Sequence, residues 1–187
     1  MKLYKLALCG LFTALISIGA FLQIPLPYYD YFTMQTFFVI MSGLLLGPYL
    51  AGLSTGAYLL LGLAGLPIFA AGGGIAYILR PSFGFLLGFV LSGVVAGFIS
   101  HNLSRKNLGT SFARLSVGAV FSLIPTYAVG LIYKYFILKL YLNEPLPFYV
   151  LLASCFPIDL PVDILCCILA GYLASRLDSV KVFNLNN

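Results

Sequence analysis

The sequence predicts an all-α membrane protein of six transmembrane helices with a glycine-rich re-entrant or lid loop between the third and fourth, and three observations predict it. Of the 187 residues, 61% are hydrophobic and 8% charged, against roughly a quarter charged in an ordinary soluble domain. The apolar residues gather into runs near the roughly 20 residues a helix needs to cross a bilayer, and these runs number six. Most of the ten Lys and Arg sit at the two termini and in one polar loop at 101–114, the distribution that the positive-inside rule produces.

The first run, Leu6 to Gln23, follows Lys2 and Lys5 and closes at Ile24-Pro25-Leu26-Pro27. No small-residue cleavage pattern follows it, so it reads as a retained helix and not as a signal peptide. The second run spans Tyr31 to Leu46 and closes at Gly47-Pro48, and the third follows at once, Tyr49 to Gly65. After Pro67, Ile68 to Leu79 is apolar but too short to cross, and Gly72-Gly73-Gly74 breaks it before Arg80-Pro81. Irregular backbone at membrane depth is tolerated only where protein or a cavity satisfies its polar groups, so this loop is expected to line something. The fourth run is Phe83 to Ser100, and the polar connection His101 to Arg114 follows it. The fifth extends from Leu115 to Leu140 and ends in the turn Asn143-Glu144-Pro145-Leu146-Pro147; the sixth runs from Tyr149 to Leu177.

Placing Lys2, Lys5, Arg105, Lys106, Arg114, Arg176 and Lys181 in the cytoplasm puts both termini inside and leaves Asp30, Arg80, Lys139 and Glu144 outside. No polar stretch is long enough for a second unit, so residues 1–187 are expected to form one lipid-embedded domain of the cell membrane. No internal period marks an inverted repeat, and no basic stripe with interleaved aromatics points to nucleic acid. The cysteines, Cys9, Cys155, Cys166 and Cys167, lack C-x-x-C spacing and lie in apolar runs, where a thiol packs as a small hydrophobe.

Asp159 and Asp163 stand inside the sixth run on either side of Pro161. An ionisable group in hydrocarbon costs at least roughly 2.5–3.5 kcal/mol, so such residues face a cavity or a partner unless they sit at the water interface. Four residues apart, they share a face if the helix continues through Pro161, which removes one backbone donor. Arg80 carries a planar fork suited to a carboxylate; snorkelling or a pair with either aspartate are its other readings. Gln35 offers an amide near the start of the second run, for a ligand or for a neighbouring helix.

Gly52-Leu53-Ser54-Thr55-Gly56 matches G-x-S-x-G, but that elbow requires a strand, a turn and a base, and the one histidine, His101, lies in the polar loop. Ser54, Gly52 and Gly56, like Gly93 and Gly97, read as small residues for close helix packing, and Gly10 and Ala14 as the same or as a face for a partner's helix. Asn102-Leu103-Ser104 spells a glycosylation sequon on the cytoplasmic side, where it is discounted. The chain has no phosphate-binding G-x-x-x-x-G-K-[ST] loop, no G-x-G-x-x-G, and no cluster of metal ligands, so no cofactor or metal is expected and an enzyme is not.

Phe32-Thr33-Met34-Gln35-Thr36-Phe37-Phe38-Val39, Gly43-Leu44-Leu45-Leu46-Gly47-Pro48 and Gly62-Leu63-Ala64-Gly65-Leu66-Pro67-Ile68-Phe69-Ala70 together resemble the biotin-specific S component of energy-coupling factor transporters, the BioY family. The similarity continues through Gly73-Gly74, Pro81-Ser82-Phe83-Gly84-Phe85 and Gly88-Phe89 and covers nearly the whole chain. The resemblance implies a six-helix protein that captures biotin from outside, its site roofed by the loops after the first and third helices. Gln35, Phe69, Gly73, Gly74, Tyr77 and Asp163 then fall at or beside the ligand, with Asp159 and Arg80 joining them. It also implies a transmembrane T component and two ATP-binding subunits as partners, for which the small residues Gly10 and Ala14 of the first helix are the expected contact. A stand-alone carrier for biotin or another small vitamin, proton-coupled through Asp159 and Asp163, is the second expectation. The chain departs from the family where Pro161-Val162-Asp163 replaces an expected Pro-Gly-Asp and Cys166 an expected lysine; Arg80 is then a substitute cation for the biotin carboxylate.

Overall fold

The computed structural model describes residues 3–26, 30–105, 111–143, 147–155, 157 and 159–177. The turn residues Glu144, Pro145 and Leu146 and the cations Lys2, Lys106 and Lys181 lie outside them. Helix α1 (Leu3–Phe21) leads into a hairpin of β1 (Gln23–Leu26) and β2 (Asp30–Thr33), followed by α2 (Gln35–Leu46), α3 (Pro48–Leu63), a 3-10 helix at Ile75–Leu79, and α4 (Phe83–Arg105). The remainder is α5 (Ser111–Phe121), α6 (Leu123–Leu140), α7 (Phe148–Cys155) and α8 (Asp159–Leu177).

Among the described residues, four helical segments are long and apolar enough to cross a membrane: Leu3–Phe21, Phe83–Leu103, Phe112–Leu140 and Asp159–Leu177. Helices α2 and α3 are shorter, and α2 departs most from expectation. The antiparallel hairpin, with Gln23 opposite Thr33 and Ile24 opposite Phe32, takes the residues that the sequence reading assigns to the start of the second span. Its 12 residues make α2 about 18 Å long at 1.5 Å per residue. Gly47 separates α2 from α3 at φ +80°, and Pro48 occupies the first position of α3, where its missing N–H removes no helical bond.

The fifth run is interrupted by a turn at Ser122. Pro125 has no N–H to donate to residue 121, and its ring crowds that carbonyl; the Ser122 hydroxyl donates instead to Ala119 O at 2.6 Å. The sixth run divides into α7 and α8. Because α8 begins at Asp159, Pro161 lies in its first turn, where N–H groups lack intrahelical partners in any case. Asp159 and Asp163 therefore stand one turn apart on one continuous helix.

Two apolar clusters fill the interior. One, built mainly on α1, α2, α6, α7 and α8, includes Phe12, Ile40, Leu131, Leu151 and Cys167. The other lies beneath the loop between α3 and α4 and comprises Ile16, Val39, Tyr58, Phe69, Tyr77, Phe83, Leu86 and Phe89. Helix α4 approaches the α2–α3 junction closely: a Cβ on Gly97 would lie 2.6 Å from Pro48 N and 2.7 Å from Gly47 C. Gly93 and Gly52 face neighbouring helices as small contacts do, whereas Gly56 has nothing within 4 Å of its Cβ position. Ser54 is fully buried within α3 and donates to Leu50 O at 2.9 Å, so Gly52–Gly56 is uninterrupted helix and no nucleophile elbow. Cys9, Cys166 and Cys167 are buried free thiols.

Candidate functional site

One cavity collects side chains from six parts of the chain. Phe32 and Thr33 come from the hairpin, Gln35 and Thr36 from the first turn of α2, and Ala70 and Tyr77 from the loop after α3. Ser82, Phe85, Leu86 and Phe89 come from the start of α4, Thr126 and Tyr127 from α6, and Asp159 and Asp163 from α8. The space holds ≈ 600 Å³ not occupied by atoms, its open mouth included.

Two of its polar groups, Asp163 and Gln35, are anchored by hydrogen bonds. Asp163, 6% exposed, accepts a 2.8 Å hydrogen bond from the Tyr127 hydroxyl, and Thr36 hydrogen-bonds the same side chain. Gln35, 2% exposed, donates from Nε2 to the Tyr58 hydroxyl at 2.7 Å and accepts from Thr33 at 3.4 Å. The Tyr58 hydroxyl passes the connection on to Ile68 O at 3.2 Å. Gln35 thus links the cavity wall to the loop that covers it. Four further aromatic rings, Phe32, Tyr77, Phe85 and Phe89, join the wall and give apolar area with defined orientation.

The loop is held by its backbone. Phe69 and Gly72 exchange N–H to carbonyl bonds of 2.9 and 3.1 Å, and Gly72 and Gly74 adopt φ of +108° and +97°, conformations that side chains with a Cβ rarely take. Gly74 N donates to Gly62 O at 2.7 Å, and a Cβ on Gly73 would run into the Leu66 carbonyl. Further ties come from Gln23 Nε2 to Ala70 O at 2.8 Å and Tyr133 Oη to Ile78 O at 2.5 Å. Phe69 is fully buried under the loop, its ring centroid 4.6 Å from that of Tyr77 and 5.3 Å from that of Tyr58.

Of the residues singled out from sequence, Gln35, Tyr77, Asp159 and Asp163 meet in the cavity wall. Phe69, Gly73 and Gly74 lie behind it, in the loop that presents Ala70 and Tyr77. Arg80 is exposed, its guanidinium 5.4 Å from the centre of the Tyr77 ring. Gly10 and Ala14 are exposed on α1, and nothing lies within 4 Å of a Cβ built on Gly10. No group of three or more His, Cys, Asp or Glu is placed to hold a metal among the described residues.

Sequence reasoning passes over Thr36, Ser82, Thr126 and Tyr127, which also line the cavity, and over Lys134, which is fully buried in α6. A signal existed: Thr126, Tyr127, Gly130 and Lys134 recur at helical spacing on the buried face of an otherwise apolar segment.

Comparison with known proteins finds one family profile, that of the BioY family, matching residues 1–181. A probable biotin transporter BioY of Lysinibacillus sphaericus is 37% identical over 179 residues, 96% of this chain and 88% of that relative. The biotin transporter BioY of Thermotoga maritima is 38% identical over 141 residues, 75% of this chain and 77% of its own. Among solved structures, the 2.1 Å crystal structure of the S-component for biotin from an ECF-type ABC transporter superposes with a TM-score of 0.83. It is 30% identical, with 98% of this chain and 95% of that chain covered.

Proposed function

This chain belongs to the BioY family, and from that premise we propose that it is the biotin-capturing S component of an energy-coupling factor importer, a membrane-embedded binding subunit and not an enzyme. The observation that carries the reading is Asp163, a buried carboxylate held by Tyr127 and Thr36 on the wall of a cavity that sets aromatic rings beside further polar side chains. The fused head of biotin presents two ureido N–H donors and a carbonyl beside an apolar thioether ring. A carboxylate accepts from such donors, the Gln35 amide and the Ser82 and Thr126 hydroxyls match a carbonyl, and Phe32, Tyr77, Phe85 and Phe89 fit the ring faces. Asp159 and Arg80 belong to the outer part of the site, and Phe69, Gly73 and Gly74 act by holding Tyr77 over the ligand.

The same reading assigns one domain to residues 1–187, with six spans in which α2 and α3 are the short members and both termini are cytoplasmic. The hairpin and the glycine loop are the outer lid. Exposed apolar side chains such as Leu11, Ile18, Ile132, Phe136 and Leu165 then face lipid. The exposed small residues Gly10 and Ala14 are the contact for a transmembrane T component, whose two ATP-binding subunits supply the energy, since the sequence has no nucleotide loop of its own.

Titration of the detergent-purified chain with biotin, thiamine and riboflavin, followed by heat release, tests the assignment. Saturable binding of biotin alone is expected; a folded protein that binds none of the three, or prefers another vitamin, overturns it. Uptake in cells is expected to stop when the ATP-binding subunits are deleted and to persist, at fixed ATP, with a proton ionophore. The reverse pattern would favour the stand-alone carrier. Within the site, Tyr127→Phe removes one hydrogen bond to a charged group while Thr36 remains, and is expected to weaken biotin about fivefold, or about 1 kcal/mol. Unchanged affinity would remove the Tyr127–Asp163 pair from the binding site.

A further inference from the structure

An acid that enters this cavity meets two carboxylates, Asp159 and Asp163, and the wall itself contains no Lys or Arg. Burying a third negative charge there is unfavourable unless a cation stands close by. Among the described residues one cation is buried, Lys134, at 0% exposure. It lies within a membrane-spanning segment, where a buried ionisable group marks function more often than packing.

The register of α6 directs it toward the site. Lys134 shares the buried face with Tyr127, seven residues earlier, and therefore stands two turns, about 10.5 Å, nearer the outer end of the helix. Helical side chains lean toward the helix N-terminus, over the residues three and four positions back, which here are Leu131 and Gly130. The ring of Phe85, a residue of the cavity wall, packs onto Gly130 where a Cβ would otherwise stand, so this turn of α6 borders that wall. The lysine stem thus inclines inward beside that wall. Helix α7 packs on α6 and α8 packs on α5, so α8 runs antiparallel to α6. On α8, Asp159 stands one turn outward of Asp163, and its side chain leans outward by the same rule. An inward lean of Lys134 and an outward lean of Asp159 would set the two at a similar depth, outside the Tyr127–Asp163 pair.

We propose that Lys134 is the specificity-determining cation of the site, meeting the carboxylate at the end of the ligand's aliphatic chain, with Asp159 holding the ammonium in place. The deep carboxylate then takes the uncharged head and the outer ammonium takes the acid, so the ligand enters head first. Arg80, exposed over Tyr77, stands at the rim and is not required for this contact. The assignment rests on the biotin reading above, and the test separates the two.

Wild type, Lys134→Met, Lys134→Arg and Arg80→Ala are titrated with biotin and with its methyl ester, which keeps the head and loses the charge; thermal unfolding of each variant checks the fold. Wild type is expected to prefer the acid about tenfold. Lys134→Met should weaken biotin about tenfold and change the ester less than twofold, abolishing the preference. Lys134→Arg should keep most of it, and Arg80→Ala, at the rim of the site, should weaken acid and ester to the same small extent. A wild type that binds acid and ester equally overturns the proposal without recourse to a variant, as does equal weakening of both ligands by Lys134→Met, which would make the lysine structural. Loss of the preference in Arg80→Ala alone moves the role to Arg80. A folded wild type that binds neither ligand refutes the biotin reading, and the assignment of Lys134 falls with it.

Discussion

Asp163→Asn is expected to weaken biotin binding about a hundredfold, or about 2.7 kcal/mol, the upper range for a hydrogen bond to a charged group, while leaving the thermal midpoint unchanged or slightly raised. The two effects have separate causes. Asparagine matches aspartate in shape and can keep a hydrogen bond with Tyr127, which now sits 2.8 Å from Oδ2. It removes a charge that is 6% exposed inside an apolar bundle, where an ionised carboxylate is costly without a ligand, so stability does not suffer. Binding does, because the amide group turns a donor toward ligand N–H groups and offers a neutral acceptor in place of an anion. Improved or constant stability with lost function is the pattern expected of a residue retained for its ligand. Calorimetric titration and thermal unfolding in the same detergent measure both quantities. Affinity within threefold of wild type would remove Asp163 from the site, and a parallel fall in midpoint and affinity would make it a packing residue.

The helices were largely legible because lipid leaves the backbone few choices: an apolar run of sufficient length has to satisfy its N–H and C=O groups internally. Where the chain leaves the hydrocarbon, that constraint ends, and there the reading slips. Ile24-Pro25-Leu26-Pro27 looks like a span closure, and proline normally demotes a strand, yet Pro25 pairs with Tyr31 in a two-stranded hairpin that has no central strand to disrupt. The continuous apolar character of residues 31–46 concealed the change from strand to helix. Long runs also hide local breaks: neither the turn at Ser122 nor the division of α7 from α8 alters the average polarity of its segment.

The site was legible in proportion to how far each residue stands out from its surroundings. Asp159 and Asp163 are conspicuous in hydrocarbon, as is Gln35 at a helix start, and all three line the cavity with Tyr77. Thr126 and Tyr127 are amphipathic residues common in membrane helices, and only their shared face with Lys134 separates them from packing. Phe69 was grouped with the ligand contacts because the glycine block in which it lies is distinctive, and the structure gives it a place behind that surface, under the loop. A sequence pattern identifies that a segment is constrained; which side of the segment bears the constraint is a property of packing.

Gly62→Val follows from that packing, and is expected to lower the thermal midpoint by about 5–10 °C and weaken biotin by more than tenfold. A Cβ on Gly62 would penetrate the ring of Phe69, which is fully buried and stacked between Tyr58 and Tyr77. Overpacking of this kind costs about 1–3 kcal/mol, and for a chain of this length each kcal/mol shifts the midpoint by about 2–4 °C. The ring is fully buried between the two tyrosines, so it is displaced from its place between them. Its departure releases Tyr77 from the cavity wall and strains the Gly74 N to Gly62 O bond, which fastens the loop to the end of α3. Stability and binding therefore fall together, in contrast to Asp163→Asn, and thermal unfolding with biotin titration distinguishes the two kinds of residue. Phe69→Ala opens room for the valine, so the double variant should be more stable than the sum of the single effects allows, since residues in contact couple by about 0.5–3 kcal/mol. Strict additivity would mean that the valine is accommodated elsewhere and that the loop is not positioned through Phe69.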